Sequence, residues 1–447
     1  MSPTRASEQA QEVDAIIHAK WLIPMTENGL VLHEHSLVIQ HQLIREIIPS
    51  QEVGKYFKSS NIFQLDEHVL IPGLINAHGH AAMSLLRGYA DDLALRPWLE
   101  DKIWPAEARW VNEQFVQDGA ELAVAEMLLS GTTAFTDMYF FPDLVAKAAL
   151  KGNIRAQLAS PVLDFPTVWA KDPDEYIHKA MTLHDQYKNN EHITVGFGPH
   201  ATYTVSDQPM QILATYASEL DIAIHMHVHE TAHEVDEALQ KNGIRPLGHL
   251  GELGLLIPNL QCVHMTQLEN EEIRLLADSG VSVVHCPASN LKLASGACPT
   301  VKLLDAGVCV GLGTDGCASN NELNMLNEMR LAALLGKITA KNAGELSAWD
   351  ALRMATVNGA RLLGMAEQCG TLESGKFADI TAVNLNHINT SPVYDPVSTL
   401  VYSAQASQVS HVWVAGQLNV KNGELLPFDV HQLKEKAQSW AQRIQAD

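Results

Sequence analysis

Basic residues are scarce in this sequence, which has 30 Lys and Arg against 52 Asp and Glu and a formal net charge of -22. Because no basic excess exists to displace counterions from phosphates, we expect no binding to nucleic acid. Long apolar runs are also absent, since no stretch reaches the roughly 18 residues that a membrane span needs. We therefore expect no membrane partner, and the acidic balance favours solubility.

Cysteine is sparse as well, with six residues that are scattered along the chain and form no CxxC pair. Isolated cysteines of this kind are typical of reduced thiols in a cytoplasmic protein, which is the localisation that we expect. The first 13 residues are polar and lack the apolar centre of a signal peptide, so the segment 1–13 is predicted to be disordered.

Glycine-rich phosphate loops are missing too, because no GxGxxG follows an early apolar run, and this disfavours a doubly wound open sheet. The middle of the chain instead repeats a short apolar run followed by a helical stretch. These runs end near His80, Asp137, Val162, His200, His229, Thr266, Cys286 and Asp315. Eight such units predict a (β/α)8 TIM barrel over residues 71–370, which suits a chain of 447 residues.

The helical stretches between these runs have their own signals. We predict helices over Asn112–Ser130, Pro209–Glu219 and Glu269–Ser279, with Ser206 as an N-cap of the second. Both ends of the chain carry short alternating segments separated by turn residues. We therefore predict a composite β-sandwich domain from residues 14–70 and 371–430, with a C-terminal helix over 431–447.

Polar residues at the carboxyl ends of the predicted barrel strands are the candidates for chemistry, because active sites of such barrels lie there. The first strand leads into His78-Gly79-His80, a pair whose i, i+2 spacing directs both imidazoles to one side. Other predicted strands end in histidine, and the eighth ends at Asp315. Buried His and Asp groups need partners that offset their desolvation, and a divalent cation is such a partner.

Three histidines and one aspartate suit Zn²⁺, and Fe²⁺, Mn²⁺ and Co²⁺ are compatible with the same set. A bound metal lowers the pKa of water towards about 7 and makes it a nucleophile. Glu230 follows the fifth strand, where a carboxyl could shuttle protons, although an exposed loop glutamate is the simpler interpretation. His264 could polarise or deprotonate the water. For His225, His229 and His233 a hydrogen-bonded structural role is the favoured interpretation.

A resemblance to a known family rests on a series of motifs in one order. They are PGLINAHGH, GPH, HMHVHE, VHMTQL, HCPASNLKLASG and GLGTDG. Together they resemble the amidohydrolase superfamily and, within it, the 5'-methylthioadenosine/S-adenosylhomocysteine deaminases. The resemblance covers about Asp14 to Leu426, and guanine deaminases, cytosine deaminases and triazine hydrolases share the same metal-binding motifs.

The resemblance implies roles for named residues. It implies one metal ion per subunit, held by His78, His80, His227 and Asp315. It implies that Glu230 protonates the purine ring and that His264 acts with Asp315 on the hydrolytic water. It also implies substrate contacts by residues outside the metal set, namely Trp98, Glu107 and His200.

One departure from the family pattern and one absence refine the expected substrate and metal site. Some family members have a further arginine after the third strand; here Arg155 is available, whereas Asp164–Ala170 contains no arginine. No lysine follows the fourth strand, which favours a mononuclear site over a carbamylated-lysine binuclear one. A helix anchor for Trp98 and a surface acid for Glu107 are the structural alternatives.

The resulting prediction is a metal-dependent hydrolase that deaminates adenine nucleosides, 5'-methylthioadenosine or S-adenosylhomocysteine foremost and adenosine as a further candidate, to the inosine analogue and ammonia. A guanine or cytosine deaminase or a triazine chlorohydrolase is the alternative in the same superfamily. A non-catalytic scaffold barrel is the remote alternative, because no implied ligand has been lost. The expected partner is a small purine nucleoside, and a homo-oligomer, dimer or tetramer, is expected.

Overall fold

The structure is a computed structural model that describes residues 10–446 of the chain. The disorder predicted for residues 1–13 falls largely on residues outside this range. For the described part of that segment the prediction is wrong. Gln11–Glu12 form a short strand that pairs with Phe57–Lys58, and Val13 is buried, because its side chain joins a small apolar cluster.

Short strands and helices follow one another along the described residues. In chain order, the strands are β1 (Gln11–Glu12), β2 (Ala15–Leu22), β3 (Leu32–Gln40), β4 (Leu43–Pro49), β5 (Phe57–Lys58), β6 (Ile62–Pro72), β7 (Leu74–Asn76), β8 (Thr132–Asp137), β9 (Arg155–Val162), β10 (Ile193–Pro199), β11 (Ile224–Val228), β12 (Leu260–His264), β13 (Ser282–His285), β14 (Val310–Leu312), β15 (Ile380–Asn384), β16 (Val409–Val414), β17 (Gln417–Lys421) and β18 (Glu424–Leu425). The helices are α1 (Val53–Tyr56), α2 (Leu95–Trp98), α3 (Trp104–Trp110), α4 (Glu113–Leu129), α5 (Pro142–Gly152), α6 (Pro173–Tyr187), α7 (Asp207–Leu220), α8 (Ala232–Asn242), α9 (Pro246–Glu252), α10 (Asn270–Ser279), α11 (Pro287–Lys292), α12 (Thr300–Asp305), α13 (Met325–Ala340), α14 (Ala348–Arg353), α15 (Gly359–Leu362), α16 (Pro396–Tyr402) and α17 (Val430–Gln445).

Strands β7 to β14 form one parallel sheet in which each strand pairs with the next along the chain. The two edges of this sheet meet, because the Ala77 amide donates to the Leu312 carbonyl at 2.8 Å and the Asp315 amide donates to the His78 carbonyl at 3.0 Å. A Cβ on Gly313 would lie 2.7 Å from the Cβ of His78, so the close approach of the edges requires glycine there. The predicted (β/α)8 barrel is therefore confirmed.

The strand ends explain where the polar residues lie. Strands β8 and β9 end at Asp137 and Val162, as predicted, whereas β7 and β14 end earlier than predicted. His78, His80 and Asp315 consequently lie just beyond their strands rather than within them. This position releases their backbones from the regular ladder, so their side chains can turn towards the barrel axis.

The three helices predicted between the strands are observed as α4, α7 and α10. The Asn112 side chain accepts from the Phe115 amide at the start of α4, as a helix cap does. Ser206 stands at the predicted N-cap of α7, but its hydroxyl makes no cap hydrogen bond and donates instead to Asp164 at 3.2 Å. The predicted position is confirmed, and the predicted capping interaction is wrong.

Both ends of the chain contribute to a second, mixed sheet, in the strand order β18-β17-β16-β15-β6-β2-β3-β4. The joining pair is antiparallel β6 and β15, which brings residues from the two ends of the chain side by side. The buried Arg155 guanidinium of β9 donates to Asp379, just before β15, at 2.8 Å and so ties this sheet to the barrel. Within the described residues, no helix has both the length and the apolar character for crossing a membrane.

Candidate active site

A cavity of about 460 Å³ opens at the carboxyl ends of the barrel strands. Most of the residues that the sequence nominated line it: His80, Trp98, Glu107, His200, His227, Glu230, His264 and Asp315. His78 is fully buried beneath the others, and its ring contacts those of His80, His227 and His264. The fold therefore gathers at one end of the barrel all the residues to which the resemblance assigns a metal, catalytic or substrate role.

Imidazole nitrogens and one carboxylate converge at the floor of this cavity. The Nε2 atoms of His78 and His80 lie 3.4 and 3.2 Å from Oδ1 of Asp315. The Nε2 atoms of His78 and His227 lie 3.3 Å apart. Two groups of ligand atoms, each spanning less than 4.8 Å, share His78: one with His80 and Asp315, the other with His227 and His264.

These separations fit a metal ion. Ligand atoms at about 2.1 Å from a tetrahedral ion lie about 3.4 Å from one another, which matches the distances from His78 to Asp315 and His227 and from His80 to Asp315. Two imidazole nitrogens that face each other at 3.3 Å also need a cation or a shared proton between them. The donor set of three nitrogens and one oxygen suits a borderline divalent ion.

Burial and charge shift the pKa values of His80 and Asp315 in opposite directions. Burial alone would lower the pKa of His80, but its contact with Asp315 reverses the effect and raises the pKa to about 9. Burial alone would raise the pKa of Asp315, yet His78 and His80 hold it well below its usual range. Burial lowers the pKa of His227 to about 4, so its imidazole is neutral and can act as a ligand.

The second ring nitrogen of each imidazole in this set has its own partner. His80 Nδ1 donates to the Met138 carbonyl at 2.6 Å, and His227 Nδ1 donates to the His200 carbonyl at 2.8 Å. His78 differs, because its Nδ1 lies 2.8 Å from Nε2 of another side chain, His225. These bonds hold each ring so that Nε2 faces the floor of the cavity.

Asp315 is held by two serines: Ser289, which follows the seventh predicted strand, and Ser319, for which the sequence offered no signal. The hydroxyls of Ser289 and Ser319 donate to Oδ2 at 2.6 and 2.9 Å, which leaves Oδ1 facing His78 and His80. Asp315 also has a φ of 60°, a left-handed conformation that costs about 1–2 kcal/mol in a residue other than glycine. Strain of this kind is found where the fold must aim a functional side chain.

Glu230 is buried, with 7% of its surface exposed, so the interpretation as an exposed loop acid is wrong. Burial is the main cause that raises its pKa well above the usual range, and the charge of Asp315 adds to it. Its backbone amide donates to Glu234 at 2.7 Å, and one carboxyl oxygen lies 3.7 Å from Nε2 of His264. Burial thus favours the protonated form of Glu230, which lies beside the imidazole cluster.

His264 has the properties of a neutral imidazole that can accept a proton. Burial lowers its pKa to about 3. The Asn290 side-chain amide lies 2.9 Å from Nδ1, which leaves Nε2 on the side of Glu230. Like Asp315, His264 adopts a left-handed backbone, with φ of 76°. Asn290 was visible in the sequence only as a polar residue after the seventh strand.

Glu107 and Trp98 form part of the cavity wall on α3 and α2. The Tyr139 hydroxyl donates to Glu107 at 2.7 Å, and desolvation raises the pKa of this carboxyl to about 7. The indole N–H of Trp98 is buried and has no hydrogen-bond partner among the described residues. His200, whose Nδ1 lies 3.0 Å from the Thr204 hydroxyl, completes the wall. Tyr139 lacked any signal in the sequence.

The remaining candidates lie elsewhere. His229 accepts from the Leu247 amide, and His233 is exposed on α8, so both have structural surroundings. Arg155, which the sequence offered for the substrate tail, lies at the amino end of β9, paired with Asp379 and fully buried. It faces away from the cavity because β9 runs from there towards the site. The expectation that Arg155 is available to a substrate is wrong.

Imidazoles and a carboxylate at the carboxyl ends of a parallel barrel, beside a buried acid, define the class of metal-dependent hydrolases. Residues 69–419 match the amidohydrolase family. A 5-methylthioadenosine/S-adenosylhomocysteine deaminase from Teredinibacter turnerae is 48% identical over 434 residues, which are 97% of this chain and 98% of the relative. The chain belongs to the amidohydrolase family and, within it, groups with the 5-methylthioadenosine/S-adenosylhomocysteine deaminases.

Solved structures agree with this family. An adenosine deaminase from Xanthomonas campestris with bound zinc has a TM-score of 0.97 at 43% identity, covering 98% of this chain and 100% of that one. A zinc complex of atrazine chlorohydrolase from Arthrobacter aurescens has a TM-score of 0.88 at 26% identity, covering 95% and 99%. The family match and the deaminase relatives thus support a hydrolase that acts on carbon–nitrogen bonds.

Proposed function

We propose that this protein is a metal-dependent aminohydrolase that replaces the 6-amino group of an adenine nucleoside by oxygen, releasing ammonia. The substrates that we assign are 5'-methylthioadenosine and related adenosines, including S-adenosylhomocysteine. The observation that carries the proposal is Glu230, a buried carboxyl 3.7 Å from His264 whose pKa burial raises. A ring nitrogen of adenine needs such a proton donor before water can add to C6.

We assign His78, His80, His227 and Asp315 as the ligands of one divalent ion, Zn²⁺ foremost. The zinc in the neighbouring structures and the spacing of these four residues support the assignment. Such an ion supplies the Lewis acidity that makes water a nucleophile near neutral pH. The protein supplies the rest of the chemistry through side chains around the cavity.

Each proton has a group to carry it. Glu230 donates its proton to the ring nitrogen, which makes C6 electrophilic, and Asp315 and His264 accept protons as water adds to C6. One of these protons passes to the amino group, which leaves as ammonia while the C6–N bond breaks, and the other returns to Glu230 as the C6 oxygen becomes a carbonyl. Burial leaves His264 without a proton and contacts with His78 and His80 keep Asp315 ionised, so both have room for one, and burial favours the protonated form of Glu230 that donates.

Residues of the cavity wall are our candidates for contacts with the base, the ribose and the 5' substituent. We assign Glu107 to accept hydrogen bonds from ribose hydroxyls, and Trp98 and His200, which also line the cavity, to contact the base or ribose. No Lys or Arg belongs to the described residues that line the cavity, whereas Phe165 and Val168 lie on its rim. An uncharged 5' substituent such as methylthio therefore fits this cavity better than a tail that bears a carboxylate.

The test is a panel of deamination assays on metal-loaded protein with and without a chelator. We expect the absorbance of 5'-methylthioadenosine to change as its adenine becomes hypoxanthine, and ammonia to appear in equal amount. Guanine, cytosine and atrazine serve as comparison substrates, because the related hydrolases act on such rings. Turnover of one of these and of no adenine nucleoside would reject the proposal.

Two further assignments complete the proposal. We infer a cytoplasmic location, supported by the free cysteines of the described residues, most of which are buried. We also infer a dimer or tetramer of identical chains. Light scattering on the purified protein tests the second assignment, and a monomer at micromolar concentration would reject it.

A further inference from the structure

A line of buried side-chain hydrogen bonds begins at the far side of the barrel interior and ends at His78. Strands β11 and β12 are parallel and pair in register, so His225 lies directly beside Gln261. Both side chains are buried. Gln261 contacts the Leu362 carbonyl at the end of α15, and His225 contacts His78.

The direction of every hydrogen bond in this line follows from the first bond, at the Leu362 carbonyl. The Leu362 carbonyl can only accept, so the Gln261 amide nitrogen must face it and the Gln261 oxygen must face His225. That oxygen lies 2.8 Å from Nδ1 of His225, so Nδ1 of His225 carries the proton and donates. The Nε2 atom of a neutral His225 is then an acceptor.

The consequence reaches the metal site. Nδ1 of His78 lies 2.8 Å from this acceptor and must donate to it, so Nε2 of His78 keeps its lone pair. Nε2 is the atom that faces Asp315 and His227. His80 and His227 have backbone carbonyls in this role, whereas His78 relies on replaceable side chains.

We propose that His225 and Gln261 are positioning residues that set the tautomer of His78 and thereby present Nε2 to the metal. A metal ligand must offer an unprotonated nitrogen, and a fixed tautomer removes the competing form with Nε2–H. Neither residue contacts the cavity that receives the substrate. The inference rests on the metal site of the proposed function and extends it to residues outside the ligand set.

The experiment measures the Zn²⁺ dissociation constant by competition with a fluorescent chelator. His225→Leu removes the acceptor, and we expect zinc to bind about 10–100-fold more weakly. His225→Gln restores the relay, since glutamine can accept from His78 and donate to Gln261, and we expect affinity within about threefold of the wild type. His411→Leu, at a buried histidine of β16 in the other sheet, is the control and leaves zinc affinity unchanged.

Gln261→Leu provides a second route if His225→Leu does not fold. It leaves His225 without its acceptor, so His225 can adopt either tautomer, and we expect zinc affinity to fall about 3–10-fold. Equal affinities of the leucine variants and the wild type would overturn the inference, as would an equal loss in His225→Leu and His225→Gln. Absence of zinc binding by the wild type would instead reject the metal site of the proposed function.

Discussion

Replacing Glu230 by glutamine is the sharpest test of the assigned acid. Burial raises the pKa of this carboxyl and favours its neutral form, which glutamine matches in both shape and charge. The substitution therefore removes the transferable proton while leaving the electrostatics of the cavity almost unchanged. We expect metal content and the thermal midpoint to stay close to those of the wild type.

The expected fall in kcat follows from the role of Glu230 as a general acid. A positioned acid contributes about 10²–10⁴-fold to rate, so kcat for 5'-methylthioadenosine should fall by that factor. This corresponds to about 3–5 kcal/mol in the activation barrier. Because the glutamine amide occupies the same volume, KM should change far less than kcat.

The assay follows hypoxanthine formation under saturating nucleoside, with metal content measured on the same samples. Glu237→Gln, at an exposed position of α8, is the matched control and should retain wild-type kinetics. A Glu230→Gln enzyme that keeps kcat within about threefold of the wild type would refute the reasoning, because general acid catalysis cannot be that weak.

Three other outcomes follow from the structure. Arg155→Met leaves Asp379 buried without its partner, so the free energy of unfolding in urea should fall by about 3–5 kcal/mol. The KM of the folded enzyme should not change. A raised KM would contradict the placement of Arg155 away from the cavity. Because the pKa of Glu107 is raised to about 7, mainly by burial, its carboxylate is present above that pH and lost below it. KM should therefore rise as the pH falls through 7, and Glu107→Gln should have a high KM at every pH; a flat wild-type profile would contradict this role. Chelation should abolish turnover and lower the thermal midpoint, and zinc at about 100 times its dissociation constant should restore about 2.7 kcal/mol of stability; full activity after chelation would contradict the metal assignment.

Several features of the barrel were predictable because they are local or periodic. The apolar runs indicated eight parallel strands. Because the carboxyl ends of parallel strands lie at one end of a barrel, the histidines that follow these strands lie there too. This reasoning from strand direction identified His78, His80 and Asp315, since each follows a strand closely. The resemblance then selected His227 among its neighbours.

Partner residues were not predictable in the same way, because they depend on register and on contacts between distant segments. His225 was correctly interpreted as a hydrogen-bonded histidine, but its neighbours Gln261 and His78 follow only from strand pairing and barrel closure. Tyr139, just after β8, donates to Glu107 on α3, and no spacing in the sequence predicts that contact. The same holds for Ser319 at Asp315.

The sequence alone determined the parallel barrel, the end at which its polar residues lie and the residue types that we assign to a cation, because these follow from periodicity and from the direction of parallel strands. Only the tertiary structure decided the protonation and orientation of those residues. It showed that Glu230 is buried in a way that raises its pKa, that Arg155 pairs with Asp379, and that His78 contacts His225. Desolvation and hydrogen-bond direction depend on every packed neighbour, and chain order does not specify those neighbours.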